Sequence, residues 1–266
     1  MSAVETVLRR DRLVVTGALA GVTALAWVYI LRLAATPGMG GMDMSGWRML
    51  PAGLSAVMVP AGQPWTPLEF GFTFAMWAVM MIGMMTPSAA PLALIYARAG
   101  QMTRATHPFA ATGWLVLGYL LVWSAFALGA TTIQWALDRS AWLDWDMTVT
   151  QRVASAFLMV AGVYQWTPLK HVCLAACQSP LAFIHKLGGF RGDASGAIAT
   201  GLRHGAYCLG CCWALMTLLF VGGVMNPVWI AVLAGFALLE KIAPIGPWFS
   251  RAVGAVLILA ALALIS

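Results

Sequence analysis

The chain has 266 residues, of which 61% are hydrophobic and only 9% are charged, whereas soluble domains have roughly 45–50% and about 25%. So few charges cannot cover the surface of a water-soluble protein of this size, so the composition excludes that class and predicts an integral membrane protein in a lipid bilayer. The net charge of +6 is spread between apolar segments, which indicates membrane topology and argues against a nucleic-acid partner.

Apolar stretches long enough to cross a bilayer, at about 20 residues per helix, recur along the chain. They lie at 13–35, 70–97, 110–135, 150–168, 204–225, 228–243 and 252–266. The sequence therefore predicts an all-α fold, a polytopic transmembrane helix bundle of six to seven spans. The first stretch follows three arginines and is not followed by a small-residue cleavage pattern, so we expect a retained signal anchor at 1–35.

The distribution of basic residues predicts the orientation. With a cytoplasmic N-terminus and seven spans, eleven of the fifteen Lys and Arg residues fall on the cytoplasmic side, as the positive-inside rule requires. This predicts a multi-pass protein of the inner (cytoplasmic) membrane. All five cysteines then lie in the inner half, beside a reducing compartment, so we expect free thiols and not disulfides.

A loop rich in methionine and glycine, predicted at 36–69, follows the anchor on the outer side. Its stretch TPGMGGMDMSGWRM, residues 36–49, contains Met39, Met42, Met44 and Met49. Thioethers remain usable ligands in an oxidising compartment, so the loop fits weak capture of Cu(I). It fits a flexible linker equally well.

A second methionine cluster lies within the next predicted span, in the stretch MWAVMMIGMMTPSAAP that begins at position 76. Met76, Met80 and Met84 share one helix face, and Met81 and Met85 form a second row beside it. These rows are candidate ligands for a soft metal, although methionines also fill gaps between helices. The prolines that follow predict an interrupted helix or a plain kink.

The segment WTPLKHVCLAACQSP, residues 166–180, combines His171 with Cys173 and Cys177 at i, i+4 spacing. If it is helical, it lies at the inner surface, near the beginning of the cysteine-rich span. It is then either a site that receives a soft metal or an interfacial amphipathic helix anchored by Lys170.

The strongest cluster is HGAYCLGCCWALM, at 204–216. His204, Cys208, Cys211 and Cys212 fall within an arc of about 100° on a helix, and Met216 continues the stripe one turn further. Soft ligands of this kind select Cu(I) or zinc, and we expect copper in preference to zinc. One helix cannot enclose a metal, so the methionine rows, the 171–177 segment, Glu240 or a second copy of the chain must complete the site. Glu240 is alternatively a partner of Lys241 or His204.

Several of these segments together resemble a bacterial family of predicted metal-binding integral membrane proteins, long catalogued as a domain of unknown function. The resemblance rests on MWAVMMIGMMTPSAAPL, YQWTPLKHVCLAACQSPLAF, RHGAYCLGCCWALM, GVMN and LEK and covers about residues 70–245, a metal-binding membrane core that precedes a C-terminal transmembrane helix at 246–266. It implies metal binding at His204, Cys208, Cys211 and Cys212, and at Cys173 and Cys177.

Three functions remain open from the sequence. The first is handling of Cu(I), by binding, transfer or transport, with a soluble metallochaperone as a possible partner and a homo-oligomer as a possible assembly. The second is a copper-dependent redox enzyme acting on a lipid-soluble substrate. The third is a structural subunit of a membrane complex. The chain has no phosphate-binding G-x-x-x-x-G-K-[ST] motif, which excludes transport driven by nucleotide hydrolysis within this chain.

Overall fold

We analysed a computed structural model of the chain, which describes residues 3–35, 47–103, 108–144, 146–243 and 246–265. Its helices are α1 (Ala3–Ala34), α2 (Pro67–Met102), α3 (Pro108–Arg139), α4 (Gln151–Tyr164), α5 (Pro168–Gln178), α6 (Pro180–Lys186), α7 (Ala194–Thr217), α8 (Leu219–Gly222), α9 (Pro227–Ile242) and α10 (Gly246–Ile265). Two strands, β1 (Trp47–Ala52) and β2 (Ser55–Pro60), form an antiparallel hairpin. The prediction of a mainly helical bundle is confirmed.

The long helices are the candidates for membrane spans. In the described residues, five are long and apolar enough to cross a membrane: Leu13–Ala34, Pro67–Met102, Phe109–Arg139, Ala194–Gly222 and Trp248–Ile265. The 14 residues of α4 and the 16 residues of α9 reach about 21 and 24 Å, less than the roughly 30 Å of a hydrocarbon core. The five helices are consistent with a membrane protein, whereas the predicted count of six to seven spans is not confirmed.

Contacts between helices show that the chain passes back and forth through the bundle. The pairs α1·α2, α2·α3, α4·α7, α7·α9 and α4·α10 are antiparallel, whereas α3 and α7 run parallel. In the described residues, successive long helices therefore run in alternating directions, in the order α1, α2, α3, α4, α7, α9 and α10. We call the end with the N-termini of α3 and α7 the proximal end, and the opposite end the distal end.

Glycines permit the close parallel packing of α3 against α7. A Cβ built on Gly201 would lie 2.0 Å from the backbone oxygen of Leu115, and one on Gly205 would lie 2.9 Å from Val122 Cγ2. Any larger residue at Gly201 would therefore push the two backbones apart, as in other membrane helix pairs with small residues at the contact. This contact fixes the height of Tyr119 on α3 relative to the cysteines of α7.

Capping residues define where the site-bearing helices begin. Thr66 and Glu69 form a reciprocal capping box at the start of α2. Asp193 caps α7 by accepting hydrogen bonds from the Ser195 hydroxyl, at 2.8 Å, and from the Gly196 backbone N–H, at 2.7 Å. These bonds, with that of Ser195 contributing most, lower the pKa of the Asp193 carboxyl. α2 continues through Pro87 and Pro91, so the predicted interruption of this helix does not occur.

The hairpin at the distal end was not predicted, and a buried arginine holds it to the bundle. Arg48 of β1 is 5% exposed, and its Nη1 lies 2.8 Å from a carboxylate oxygen of Asp138 on α3. Trp65 Nε1 donates to the same oxygen at 2.7 Å. Met49 lies in β1, whereas the other loop methionines of the predicted copper-capture segment, at 39, 42 and 44, lie outside the described residues.

Candidate functional site

The sulfur of Cys208 is the centre of a buried polar cluster in the proximal half of the bundle. Cys208 is 1% exposed, and its Sγ lies 2.9 Å from Lys241 Nζ and 3.1 Å from the Tyr119 hydroxyl oxygen. Lys241 also donates to Ser88 Oγ at 3.1 Å. Four helices, α2, α3, α7 and α9, therefore contribute one polar group each to this point.

The backbone of α2 orients two members of the cluster. The hydroxyls of Tyr119 and Ser88 both donate to the carbonyl oxygen of Met85, at 2.9 and 2.8 Å. With its proton committed to this carbonyl, the Tyr119 oxygen can accept a hydrogen bond from the Cys208 thiol. Such a network keeps polar atoms satisfied at a depth where unpaired groups are costly.

Cysteines from two helices lie close together around Cys208. Cys211 and Cys212 on α7 each donate an S–H to the Cys208 carbonyl oxygen at 3.0 Å. Cys177, on α5, packs against the apolar core that contains these three α7 cysteines. Cys173 lies beside this group, with its sulfur against Gly210. All five cysteines are free, and the thiols of 177, 208, 211 and 212 form one set, which we call the thiol cluster.

Close helix packing brings the two cysteine-bearing helices together. A Cβ on Gly210 would lie 2.7 Å from Cys173 Sγ, and the Tyr164 hydroxyl donates to the Gly210 carbonyl. Gly205 and Gly210 thus allow neighbouring helices to approach α7 closely, α3 at the first and α5 at the second.

His204 lies one turn before Cys208 on α7 and is deeply buried in the bundle. It is 2% exposed, and its ring packs against Tyr119 and Phe183 at centroid distances of 5.8 and 5.3 Å. Its Nδ1 is buried and has no hydrogen-bond partner among the described residues. His171 is not brought to the thiol cluster, since the charges near it are those of Arg251, Lys170 and Glu240.

Glu240 belongs to a separate buried ion pair. Its carboxylate oxygens lie 2.8 and 2.9 Å from Lys170 Nζ, and the Ser250 hydroxyl donates to it at 2.6 Å. The expectation that Glu240 pairs with Lys241 or His204 is therefore wrong. Lys170 is fully buried and does not anchor α5 at an interface, because its ammonium is needed to neutralise the Glu240 carboxylate inside the bundle.

The methionine rows of α2 lie distal to the thiol cluster. Trp77 packs on Phe220 with ring centroids 5.1 Å apart, and Ser88 Oγ lies 4.0 Å from Cys208 Sγ. Because α2 and α7 are antiparallel, these two contacts place Met216 level with the middle of the rows. The methionines at 76, 80, 81, 84, 85 and 216 are all between 0 and 2% exposed and belong to one apolar core with the α7 cysteines.

The thiol cluster does not have the geometry of a closed metal site. Within the described ranges, no group of three or more His, Cys, Asp or Glu side chains converges in a way that could hold a metal ion. The S–H bonds of Cys211 and Cys212 to the backbone explain this, because they direct both sulfurs toward their own helix. Rotation about χ1 and loss of the protons would redirect them, as metal binding to thiols requires.

The comparison with protein families identifies a relationship to copper proteins. Residues 74–264 match the PpoB2 family, described as copper chaperone. The chain belongs to this copper chaperone family. The match includes nearly all of α2 and every later helix, and thus all residues of the thiol cluster, while α1 and the hairpin lie outside it. No curated protein and no solved structure matches the chain.

Three residues of the polar cluster were not predicted from the sequence. Tyr119 and Ser88 carried no signal, since a single hydroxyl in an apolar helix is common. Lys241 did carry one, because a charge in a membrane helix is usually paired or functional. Its position near the end of α9 suggested exposure by snorkelling, but the side chain is buried and contacts Cys208.

Replacing Lys170 with Met tests the structural role of the ion pair. The variant strands the buried Glu240 carboxylate, and removing one partner of a buried pair costs about 3–5 kcal/mol. We expect Lys170→Met to unfold at a clearly lower denaturant concentration in detergent, and the double variant Lys170→Met/Glu240→Gln to recover most of the loss. The exposed Lys186 provides the control, Lys186→Met. Equal stability of Lys170→Met and the control would contradict this role.

Proposed function

We propose that the chain binds Cu(I) as cargo through the thiol cluster in the cytoplasmic half of the membrane. The observation that carries the proposal is the packing of α5, with Cys177, against the core that contains Cys208, Cys211 and Cys212 of α7. Thiolates are soft ligands that select Cu(I), and two helices supply what one helix cannot. Membership of a copper chaperone family supports copper in preference to zinc.

Lys241 supplies the charge that such a site needs at membrane depth. One Cu(I) bound by two or three thiolates leaves a net negative complex, and an uncompensated charge inside a bundle is costly. Lys241 has no carboxylate partner among the described ion pairs, and its ammonium contacts the Cys208 sulfur. The ammonium therefore offsets the charge of the thiolates as the metal replaces their protons.

The methionines and His204 provide a weaker, distal set of soft ligands. We propose a route along which Cu(I) moves between the thiol cluster and the distal side. It is supported by the rows at Met80, Met81, Met84 and Met85 and by Met216, which lies level with the middle of these rows. His204, whose Nδ1 is buried and unpartnered in the described structure, lies on the proximal side of Cys208. Cys173 flanks the cluster, and Glu240 positions α5 through Lys170.

The bundle orientation follows from the basic residues. A cytoplasmic proximal end places the thiols toward a reducing compartment, where they stay reduced, and places Met49 and the distal hairpin outside.

Cys177 is half-buried, in contrast to the buried α7 cysteines, so it is the thiol best placed to exchange Cu(I) with a soluble metallochaperone. A redox enzyme is less well supported, because copper oxidation centres use several imidazoles and, among the described residues, only His204 lies beside the thiols.

A Cu(I) titration of cysteine variants tests the binding site. We expect Cys208→Ser to weaken Cu(I) binding by more than the roughly 10–100-fold that loss of an outer-shell group costs, because it removes a sulfur ligand. Cys173→Ser is the matched control, since this sulfur packs against Gly210 outside the cluster. Competition with a chromogenic Cu(I) chelator, without oxygen and in detergent, measures both. Equal affinities of Cys208→Ser and Cys173→Ser would contradict the assignment.

A second variant tests the charge of Lys241. We expect Lys241→Met to weaken Cu(I) binding by about 10–100-fold, since the thiolate complex loses its buried counter-charge, and Lys241→Arg to retain most of the affinity. The same chelator competition reports the result. If Lys241→Met binds Cu(I) as tightly as the unmodified chain, the lysine has no role in compensating charge.

The proposed methionine route is tested by the rate of copper transfer. Met216→Leu keeps the apolar volume and removes a thioether, so we expect copper transfer across proteoliposomes, followed with an enclosed chelator, to slow by about tenfold, in line with loss of one soft ligand. Cu(I) affinity at the thiols should stay unchanged. Met102→Leu, at an exposed methionine, serves as the control. Transfer by Met216→Leu at the rate of this control would rule out the route.

A further inference from the structure

A large groove at the proximal end is independent of the thiol cluster. It has a volume of about 870 Å³ and lies between α5, α6 and α7, near the upper end of the roughly 300–1,000 Å³ of small-molecule sites. Val172 and Ala176 on α5 and Phe183 on α6 form apolar walls. Val172 is 62% exposed, so this wall continues onto the outer surface of the bundle.

Two cations give the groove a polar end. Lys186 and Arg203 both line it, together with the Tyr207 and Ser179 hydroxyls. No acidic side chain is among its described lining residues, and neither cation has a carboxylate partner in the described ion pairs. The groove thus combines unneutralised positive charge and hydrogen-bond donors with an apolar wall.

We propose that this groove binds an anionic phospholipid, with the phosphate between Lys186 and Arg203 and the first part of the acyl chains along α5 and α6. An amphiphile uses both parts of the groove, whereas free phosphate would leave the apolar wall in contact with water. Basic pockets between membrane helices on the cytoplasmic side bind anionic headgroups in this way. The site does not depend on copper binding.

The groove lies against the helices that carry the cysteines of the proposed copper site. Val172 and Ala176 lie on the face of α5 next to the one that carries Cys173 and Cys177, at the helical spacing of about 100° per residue. Phe183 contacts both the His204 ring, at 5.3 Å, and the Tyr207 ring, at 5.8 Å. A lipid in the groove therefore packs on the outer side of the helix whose inner side contacts the α7 thiols.

Native mass spectrometry of the delipidated full chain tests this site. The chain is titrated in neutral detergent with phosphatidylglycerol or with phosphatidylcholine of the same acyl chains. We expect phosphatidylglycerol to bind about tenfold more tightly, given the attraction of two cations for an anionic headgroup, and Lys186→Gln/Arg203→Gln to abolish this preference. The matched control, Arg98→Gln/Arg251→Gln, removes two exposed charges from the same end but outside the groove and should keep it.

A further variant separates lipid from phosphate. Ala176→Trp fills the apolar part and keeps both cations, so it should lower phosphatidylglycerol binding about as much as loss of the charges. The proposal is overturned if the control variant loses the preference equally, which would indicate diffuse surface charge. It is also overturned if Ala176→Trp has no effect or if inorganic phosphate displaces the lipid at equal concentration, since either result would indicate an anion site without a lipid.

Discussion

The contact between the Lys241 ammonium and the Cys208 sulfur constrains the inner part of this bundle. An ammonium deep among apolar helices is stable only with polar partners, and those partners are Ser88 of α2 and Cys208 of α7. Tyr119 of α3 joins them through its contact with the Cys208 sulfur. The heights of these helices relative to α9 are therefore fixed by one buried group. A shift of one helical turn, about 5.4 Å, would remove every one of these contacts.

The neighbouring residue on α9 places the second group of thiols. Glu240 binds Lys170 of α5 and the Ser250 hydroxyl of α10, while Gln178 at the end of α5 donates to the Glu240 carbonyl at 2.8 Å. Two consecutive charged residues thus hold α7 and α5 to the same turn of α9. This anchoring holds the helices that carry Cys208 and Cys177 against one another.

Spacing along one helix carried most of the information about the site. The stripe of His204, Cys208, Cys211 and Cys212 and the need for a second helix followed from helical periodicity, and in the structure the segment containing Cys177 packs against the helix that carries this stripe. The partners of Lys241 and Glu240 did not follow, because they depend on contacts between residues distant in sequence. Periodicity shows which face a residue occupies, but it does not show which helix covers that face.

The fold, like the site, could be predicted only in part from the sequence. Hydrophobic length predicted the long helices, yet it overestimated the number of clearly spanning ones, since α4 ends at Tyr164 and a separate helix, α5, begins at Pro168. The distal hairpin was missed because its short strands are held by the Arg48–Asp138 pair, a long-range contact. Proline chemistry predicted either an interruption or a plain kink in α2, and the helix continues through Pro87 and Pro91.

X-ray absorption at the copper edge of the Cu(I)-loaded full chain tests the central claim most directly. We expect a first coordination shell of sulfur alone, with one sulfur fewer in Cys177→Ser because this thiol comes from the second helix. A shell dominated by nitrogen or oxygen, or a sulfur count that is unchanged in Cys177→Ser, would contradict a copper site shared between α5 and α7.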